Sequence, residues 1–183
     1  ESELCLVGSE MCIRDRYSVK KNQNQSLMEM SAMGMTIAKT VFNKFQGYNE
    51  VNGQRIPLTE VELEQAIINS ALFSELNFDF SLVELVGTSD VEGEKAYEIK
   101  VTDNKSVFYS VDTGLKLKEV ESQEVEGNLI VGETYYREYE EVEGILLPKV
   151  INQVSASIPI PGGITFKATS IKLNVETKES DFN

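Results

Sequence analysis

The sequence predicts a mainly β (α+β) fold, a curved antiparallel sheet or incomplete β-barrel with one amphipathic helix. Three observations carry this reading. From Lys95 to Glu124 the chain alternates in the period of two that a half-buried strand requires: Tyr97, Ile99 and Val101 against Glu98 and Lys100, then Val107, Tyr109 and Val111 against Phe108 and Ser110. The connectors repeat one turn chemistry, EVNG from Glu50, DVEG from Asp90 and EVEG from Glu124 and Glu141. Each ends in a glycine, at 53, 93, 127 and 144, where a hairpin loop needs positive φ. A single stretch, from Glu60 to Phe73, has helical periodicity instead.

In chain order, Tyr17 to Gln25 is polar and reads as the end of a strand and a turn. In Ser26 to Met35, Met28 and Met30 share a face, Gly34 marks a turn, and Met35 to Phe42 supplies the returning strand. The methionines Met28, Met30, Met33 and Met35 have two readings: adaptable thioethers for an apolar ligand, or ordinary core filling. Phe45 to Pro57 reads as a loop with a tight turn at Asn52 and Gly53. Thr59 followed by Glu62 is a capping box, with Leu58 placed to staple onto Leu63. The stripe Leu63, Ile67, Ile68, Ala71 and Leu72 then predicts a helix laid against a sheet.

Beyond it the chain reads as strands at Leu82–Val86, Lys95–Thr102, Ser106–Val111, Leu115–Val125, Thr134–Val142, Ile145–Val154 and Thr165–Val175. Asp103 and Asn104 join one pair, and Gly114 sits at the left-handed position of a three-residue hairpin loop. Pro148 inside a strand pattern implies an edge or a bulge, and Ser157 to Gly163 implies a longer loop.

A chain of 183 residues with 41% hydrophobic residues suffices for a real core. The net charge of -13 and pI near 4.5 disfavour nucleic acid and anionic lipid surfaces, which require basic patches; an acidic surface serves solubility. No run of about 18 apolar residues predicts a transmembrane helix, and the start carries no signal-peptide pattern. Leu6 to Asp15, LVGSEMCIRD, resembles a translated frame of a transposase-type sequencing adapter. On that reading residues 1–16 are non-native, residues 17–183 form a single domain, and the natural chain began upstream. Both cysteines, Cys5 and Cys12, then fall outside the natural protein. Setting aside Arg14 and Arg16 against Glu1, Glu3, Glu10 and Asp15 leaves 15 basic and 26 acidic residues, so the acidic character persists at -11.

The catalytic inventory informs by absence. With no His, and Cys only in the first sixteen residues, the natural sequence offers no triad, thiolate nucleophile or usual zinc set. No cofactor, catalytic residue or metal site is expected. The carboxylates Glu138, Glu140, Glu141 and Glu143 read as a solvated strand face rather than an acid–base pair, and no calcium-loop spacing is present. Tyr135, Tyr136 and Tyr139 read as sheet packing, with a carbohydrate or lipid platform as the sharper alternative. A twisted sheet with a helix across its concave face needs no catalytic group to act: it can enclose an apolar groove. Met28, Met30, Ile68, Leu72, Val107 and Tyr109 are the candidate walls of such a groove.

The segments VELVGTSDVEGEKAYEIKVT, FYSVDTGLKLKEVESQE and EVEGILLPKVI resemble the LolA-like domain of bacterial envelope proteins, found in outer-membrane lipoprotein-sorting proteins and at the carboxy end of insulinase-type (M16) zinc peptidase proteins. The resemblance implies a LolA/LolB-like half-barrel of the periplasm or outer membrane. It implies a non-catalytic module handling a hydrophobic ligand, acyl chain or lipoprotein. The alternative it implies is an accessory domain joined to upstream peptidase domains, since no His-x-x-Glu-His motif occurs here. Relative to full-length carriers the first strands are missing, which implies an unpaired sheet edge near Ser26.

Overall fold

The alternation read from the sequence becomes antiparallel ladders throughout the chain. The computed structural model describes residues 2–6, 16–22, 24–32, 35–125, 127–157 and 160–182. The chain comprises two compact units, residues 1–77 with 167–183, and 78–166.

The first unit contains β1 (Ser2–Leu6), β2 (Arg16–Asn22), β3 (Gln25–Ala32), β4 (Met35–Phe42), β5 (Gly47–Val51) and β6 (Gln54–Pro57), each hydrogen-bonded to the next. In β1, Ser2 lies opposite Val19 and Cys5 opposite Arg16. The edge expected near Ser26 is not one. Ser26 pairs with Lys21 on one side and Phe42 on the other, and it is buried. Met33, Gly34 and Cys12 lie outside the described residues. The loop expected over Phe45–Pro57 is instead a hairpin, β5–β6, around the predicted Asn52–Gly53 turn. Both turn residues are left-handed, with φ of 49° and 80°, the two-residue geometry whose twist matches the flanking strands.

Helix α1 (Glu60–Asn69) opens on the predicted capping box: Thr59 Oγ1 accepts from the Glu62 N–H at 3.3 Å and Glu62 Oε2 accepts from the Thr59 N–H at 2.8 Å. It stops short of Phe73 because side chains take over its last carbonyls. The Ser70 hydroxyl donates to Ile67 O and Asn77 Nδ2 to Ile68 O. The helix contacts β4, but no residue in it is buried. Leu63, Ala66 and Ile67 are half-covered, whereas Ile68 is 46% exposed, so the predicted stripe packs along only part of its width.

The second unit contains β7 (Glu84–Val91), β8 (Glu94–Thr102), β9 (Lys105–Ser110), β10 (Lys116–Val125), β11 (Asn128–Val142) and β12 (Ile145–Ser155), an antiparallel meander in chain order. β13 (Ile164–Ser170) spans the sequence boundary between the units, which falls after Phe166. Glu92–Gly93 and Glu143–Gly144 repeat the left-handed pair of Asn52–Gly53, and Gly114 has φ 72° as expected. The core gathers Val91, Ala96 and Phe108, flanked by Leu117, Val120 and Tyr135.

Two details depart from simple alternation. The β8–β9 register shifts between Lys100 and Thr102, so Ala96 and Val101 are both buried despite opposite parity, while Tyr97 is exposed. On β9, Val107 and Phe108 are both buried, so that strand is covered on both faces. Pro148 lies opposite Tyr139, beside Glu138, whose φ is 52°. At the end of the loop predicted over Ser157–Gly163, a Cβ on Gly163 would stand 2.0 Å from the Gln153 carbonyl oxygen.

Candidate functional site

A pocket of about 460 Å³ lies within the first unit. Its walls follow from local rules. β4 ends in Val41 and Phe42, both buried, and Asn43 then closes an Asx turn in which its Oδ1 accepts from the N–H of Phe45 (2.9 Å) and of Gln46 (3.1 Å). That turn leaves Phe45 83% exposed at the rim, with Lys44 Nζ 5.7 Å from its ring centre. Gly47 follows where no side chain fits, since a Cβ would meet Phe42 Cβ at 2.6 Å and Leu58 Cδ1 at 2.7 Å. The Leu58 N–H donates to Gly47 O at 2.9 Å, bringing the start of α1 against β5.

The hairpin β5–β6 contributes Tyr48, Arg55 and Pro57; Leu58, Glu60 and Leu63 come from the entry and first turns of α1; Phe182 closes the interior. Phe182 belongs to a single 3₁₀ turn, Glu179–Phe182, that packs against β3 and is 1% exposed.

The lining is apolar apart from Gln46, Arg55 and Glu60 with the Tyr48 hydroxyl. The Arg55 guanidinium lies 4.4 Å from the Tyr48 ring centre and its Nε donates to Glu50 Oε2 at 2.7 Å. The hydrogen bond to Glu50 first, and Tyr48 second, raise the Arg55 pKa, so the group stays cationic. The volume and lining suit a small apolar ligand, because pockets of about 300–1,000 Å³ lined mainly by apolar groups with a few polar ones hold small molecules.

The six groove candidates do not assemble into this pocket. Met28 and Met30 are half-buried on β3, opposite Thr40 and Ala38 of β4. Ile68 ends the helix, and Leu72, 53% exposed, follows it. Val107 and Tyr109 belong to β9 of the second unit, and Val107, at 0% exposure, is core rather than wall. The pocket residues Val41, Phe45, Tyr48, Leu58, Leu63 and Phe182 were missed as a set. The signals available for them were the Leu58–Thr59–Glu62–Leu63 helix entry and the apolar pair Val41–Phe42.

In the second unit the tyrosines behave as sheet packing. Tyr135 OH donates to Glu133 Oε2 (2.8 Å), Tyr136 OH to Glu119 Oε2 (2.9 Å) and Tyr139 OH to Lys116 O (2.7 Å). Lys118 Nζ donates to Glu133 Oε1 at 2.6 Å and sits 5.1 Å from the Tyr135 ring centre. The hydrogen bond from Lys118 is the main reason that the Glu133 carboxyl titrates below its usual range. Arg137 pairs with Glu92 across the same surface, Nε to Oε2 at 2.7 Å. Glu138, Glu140, Glu141 and Glu143 are exposed, as a solvated face should be, and Glu140 pairs with Lys149. Among the described residues no group of three His, Cys, Asp or Glu side chains is arranged to hold a metal, and no helix is long and apolar enough to cross a membrane.

A scan against protein-family models matches none, and no curated protein matches the chain. Among solved structures, a LolA superfamily protein from Nitrosomonas europaea is similar, with a TM-score of 0.60 at 14% identity, covering 100% of this chain and 87% of that one. A DUF1329 family protein from Desulfovibrio piger ATCC 29098 gives a TM-score of 0.48 at 14% identity, covering 93% and 76%. The first likeness bears out the fold class read from the sequence: mainly antiparallel β with one helix, LolA-like.

Proposed function

We propose that this chain is a non-catalytic binding module of the bacterial cell envelope that takes a hydrophobic ligand, an acyl chain or the lipid of a lipoprotein, into the pocket of its first unit. The observation that carries the reading is the pocket itself, about 460 Å³ with an apolar interior of Val41, Leu58, Leu63 and Phe182 and polar groups around it. The LolA-like fold supports it, as does the absence of histidine from the sequence, which removes the commonest general base. A periplasmic or outer-membrane location belongs to the same proposal.

Native mass spectrometry with organic extraction tests it on the full chain purified from bacteria. A stoichiometric acyl-chain species, lost when Leu63 is replaced by Glu, is the expected result. A ligand-free protein that also fails to take up added fatty acid would sink the reading. The hairpin signatures ending at Gly93, Gly114 and Gly144 support the narrower reading, an accessory domain of an insulinase-type peptidase. A clean genomic read upstream of Tyr17 tests that one, with a His-x-x-Glu-His segment as the expected outcome.

A further inference from the structure

Arg55 is the one cation in the lining of a largely apolar pocket, and the hairpin register puts it there. It lies opposite Glu50 across β5–β6 and diagonal to Tyr48, whose partner is Pro57. Arg55 Nε donates to Glu50 Oε2 at 2.7 Å, and the guanidinium carbon stands 4.4 Å from the Tyr48 ring centre. These contacts hold the group without using its Nη atoms, which donate to nothing among the described residues. Nε is only one of the donors of a guanidinium, and the Nη pair has the geometry that matches two oxygens of a carboxylate or phosphate. An alkyl chain alone strips water from these donors and returns no hydrogen bond, whereas an anionic head group replaces what the water supplied.

We propose that the pocket selects amphiphiles with a singly charged anionic head, a carboxylate or a phosphodiester, seated on the Arg55 Nη donors with the tail among Val41, Leu58, Leu63 and Phe182. The inference rests on the ligand-binding reading above and names the class of ligand. The charges of the lining set the limit at one negative charge. Arg55 already faces Glu50, and Glu60, the one carboxylate in the lining, opposes any further negative charge in the same pocket. Gln46, in the same lining, adds a neutral amide. The Arg55 side chain is 59% exposed, so solvent screens the contact and the preference over an uncharged head is about three- to tenfold.

The test measures displacement of the neutral fluorophore 1-N-phenylnaphthylamine from the full chain by ligands with one tail and different heads: decanoate, decanoyl lysophosphatidylglycerol, decyl phosphate as its dianion, and decanol. Decanoate, lysophosphatidylglycerol or both should displace it at about three- to tenfold lower concentration than decanol, with decyl phosphate gaining less, and added salt should narrow the difference. Which of the two monoanions is preferred separates a carboxylate from a phosphodiester source. Arg55→Gln should remove the preference and leave decanol binding as it was, and Glu60→Gln should widen it. Lys172→Gln, which removes an exposed cation of the same unit outside the lining, should keep it. Equal displacement by all heads in the unmodified chain, or a preference that Lys172→Gln removes as fully as Arg55→Gln, overturns this inference alone. Failure of the fluorophore and of every ligand to bind overturns it together with the proposed function. Should Arg55→Gln not fold, Arg55→Lys decides: it keeps the charge but loses the paired Nη donors, so the preference should shrink, and an undiminished one overturns the assignment.

Discussion

The tyrosines of β11 and the aromatics around the first unit's pocket are similar side chains in opposite circumstances. On β11 the Tyr135, Tyr136 and Tyr139 hydroxyls each have an acceptor within their own unit, and Lys118 and Arg137 lie beside the Tyr135 ring at 5.1 and 5.0 Å. In the first unit Phe45 stands almost wholly in solvent beside a pocket that the buried Phe182 helps to line. Satisfied polar groups and cross-strand pairs make the second region a fixed surface. The first region instead leaves an open pocket of about 460 Å³ between its apolar side chains. On the function proposed above, binding belongs to the largely apolar pocket of the first unit rather than to the place where charges and aromatics are densest.

The sharpest way to break this contrast is to truncate one aromatic in each region. Phe108→Ala, in the core of the second unit, should cost about 3–5 kcal/mol in denaturant unfolding and leave ligand affinity of the folded fraction intact. Phe45→Ala should alter stability by less than about 0.5 kcal/mol yet weaken acyl-chain binding, read by fluorescence titration. The reverse pattern would put the ligand in the wrong unit.

A mid-sized effect should come from Gly47→Ala. The added methyl would stand 2.6 Å from Phe42 Cβ and 2.7 Å from Leu58 Cδ1, pushing the helix entry away from β5. Overpacking of this kind costs about 1–3 kcal/mol, and both thermal midpoint and probe affinity should fall.

The smallest effect concerns the cap that sets the helix against the pocket. Thr59→Ala should cost about 1 kcal/mol. The Glu62 carboxyl is held below its ordinary value of 4.5, first by the Thr59 N–H and then by the Thr59 hydroxyl. A lowered folded-state pKa means that the contribution of this contact is full above the ordinary value and is lost as pH falls through the folded one. Side-chain NMR of Glu62 should therefore titrate below 4.5 in the parent and move back toward 4.5 in Thr59→Ala.

Local chemistry made much of the fold legible. The Asn52–Gly53, Glu92–Gly93 and Glu143–Gly144 turns and the Thr59–Glu62 capping box involve residues a few positions apart, whose conformational demands show in residue type alone. The bounds of β8, β9, β10 and β12 match the predicted ones to about one residue for the same reason, whereas β7 runs past Val86 to Val91, β11 begins at Asn128 rather than Thr134, and β13 stops at Ser170 rather than Val175. What stayed hidden depends on distant contacts. The bulge after Lys100 changes which residues of β8 face inward, and the burial of both faces of β9 depends on neighbours elsewhere in the chain. The pocket was the least legible feature. It joins β4, a hairpin read as a loop, the helix entry and Phe182, whose carbonyl meets Asn43 across 139 positions. Alternation marks which residues are apolar but not which of them line one cavity, so Met28, Met30, Val107 and Tyr109 are grouped with Ile68 and Leu72.

The most direct test of where this protein binds is photolabelling of the intact chain with a diazirine analogue of palmitic acid, followed by digestion and peptide mapping. Adducts should be confined to peptides carrying Phe45, Tyr48, Leu58 or Leu63 and be competed away by excess palmitate. Competable adducts concentrated in residues 78–166, with the 41–63 peptides unlabelled, would contradict that placement.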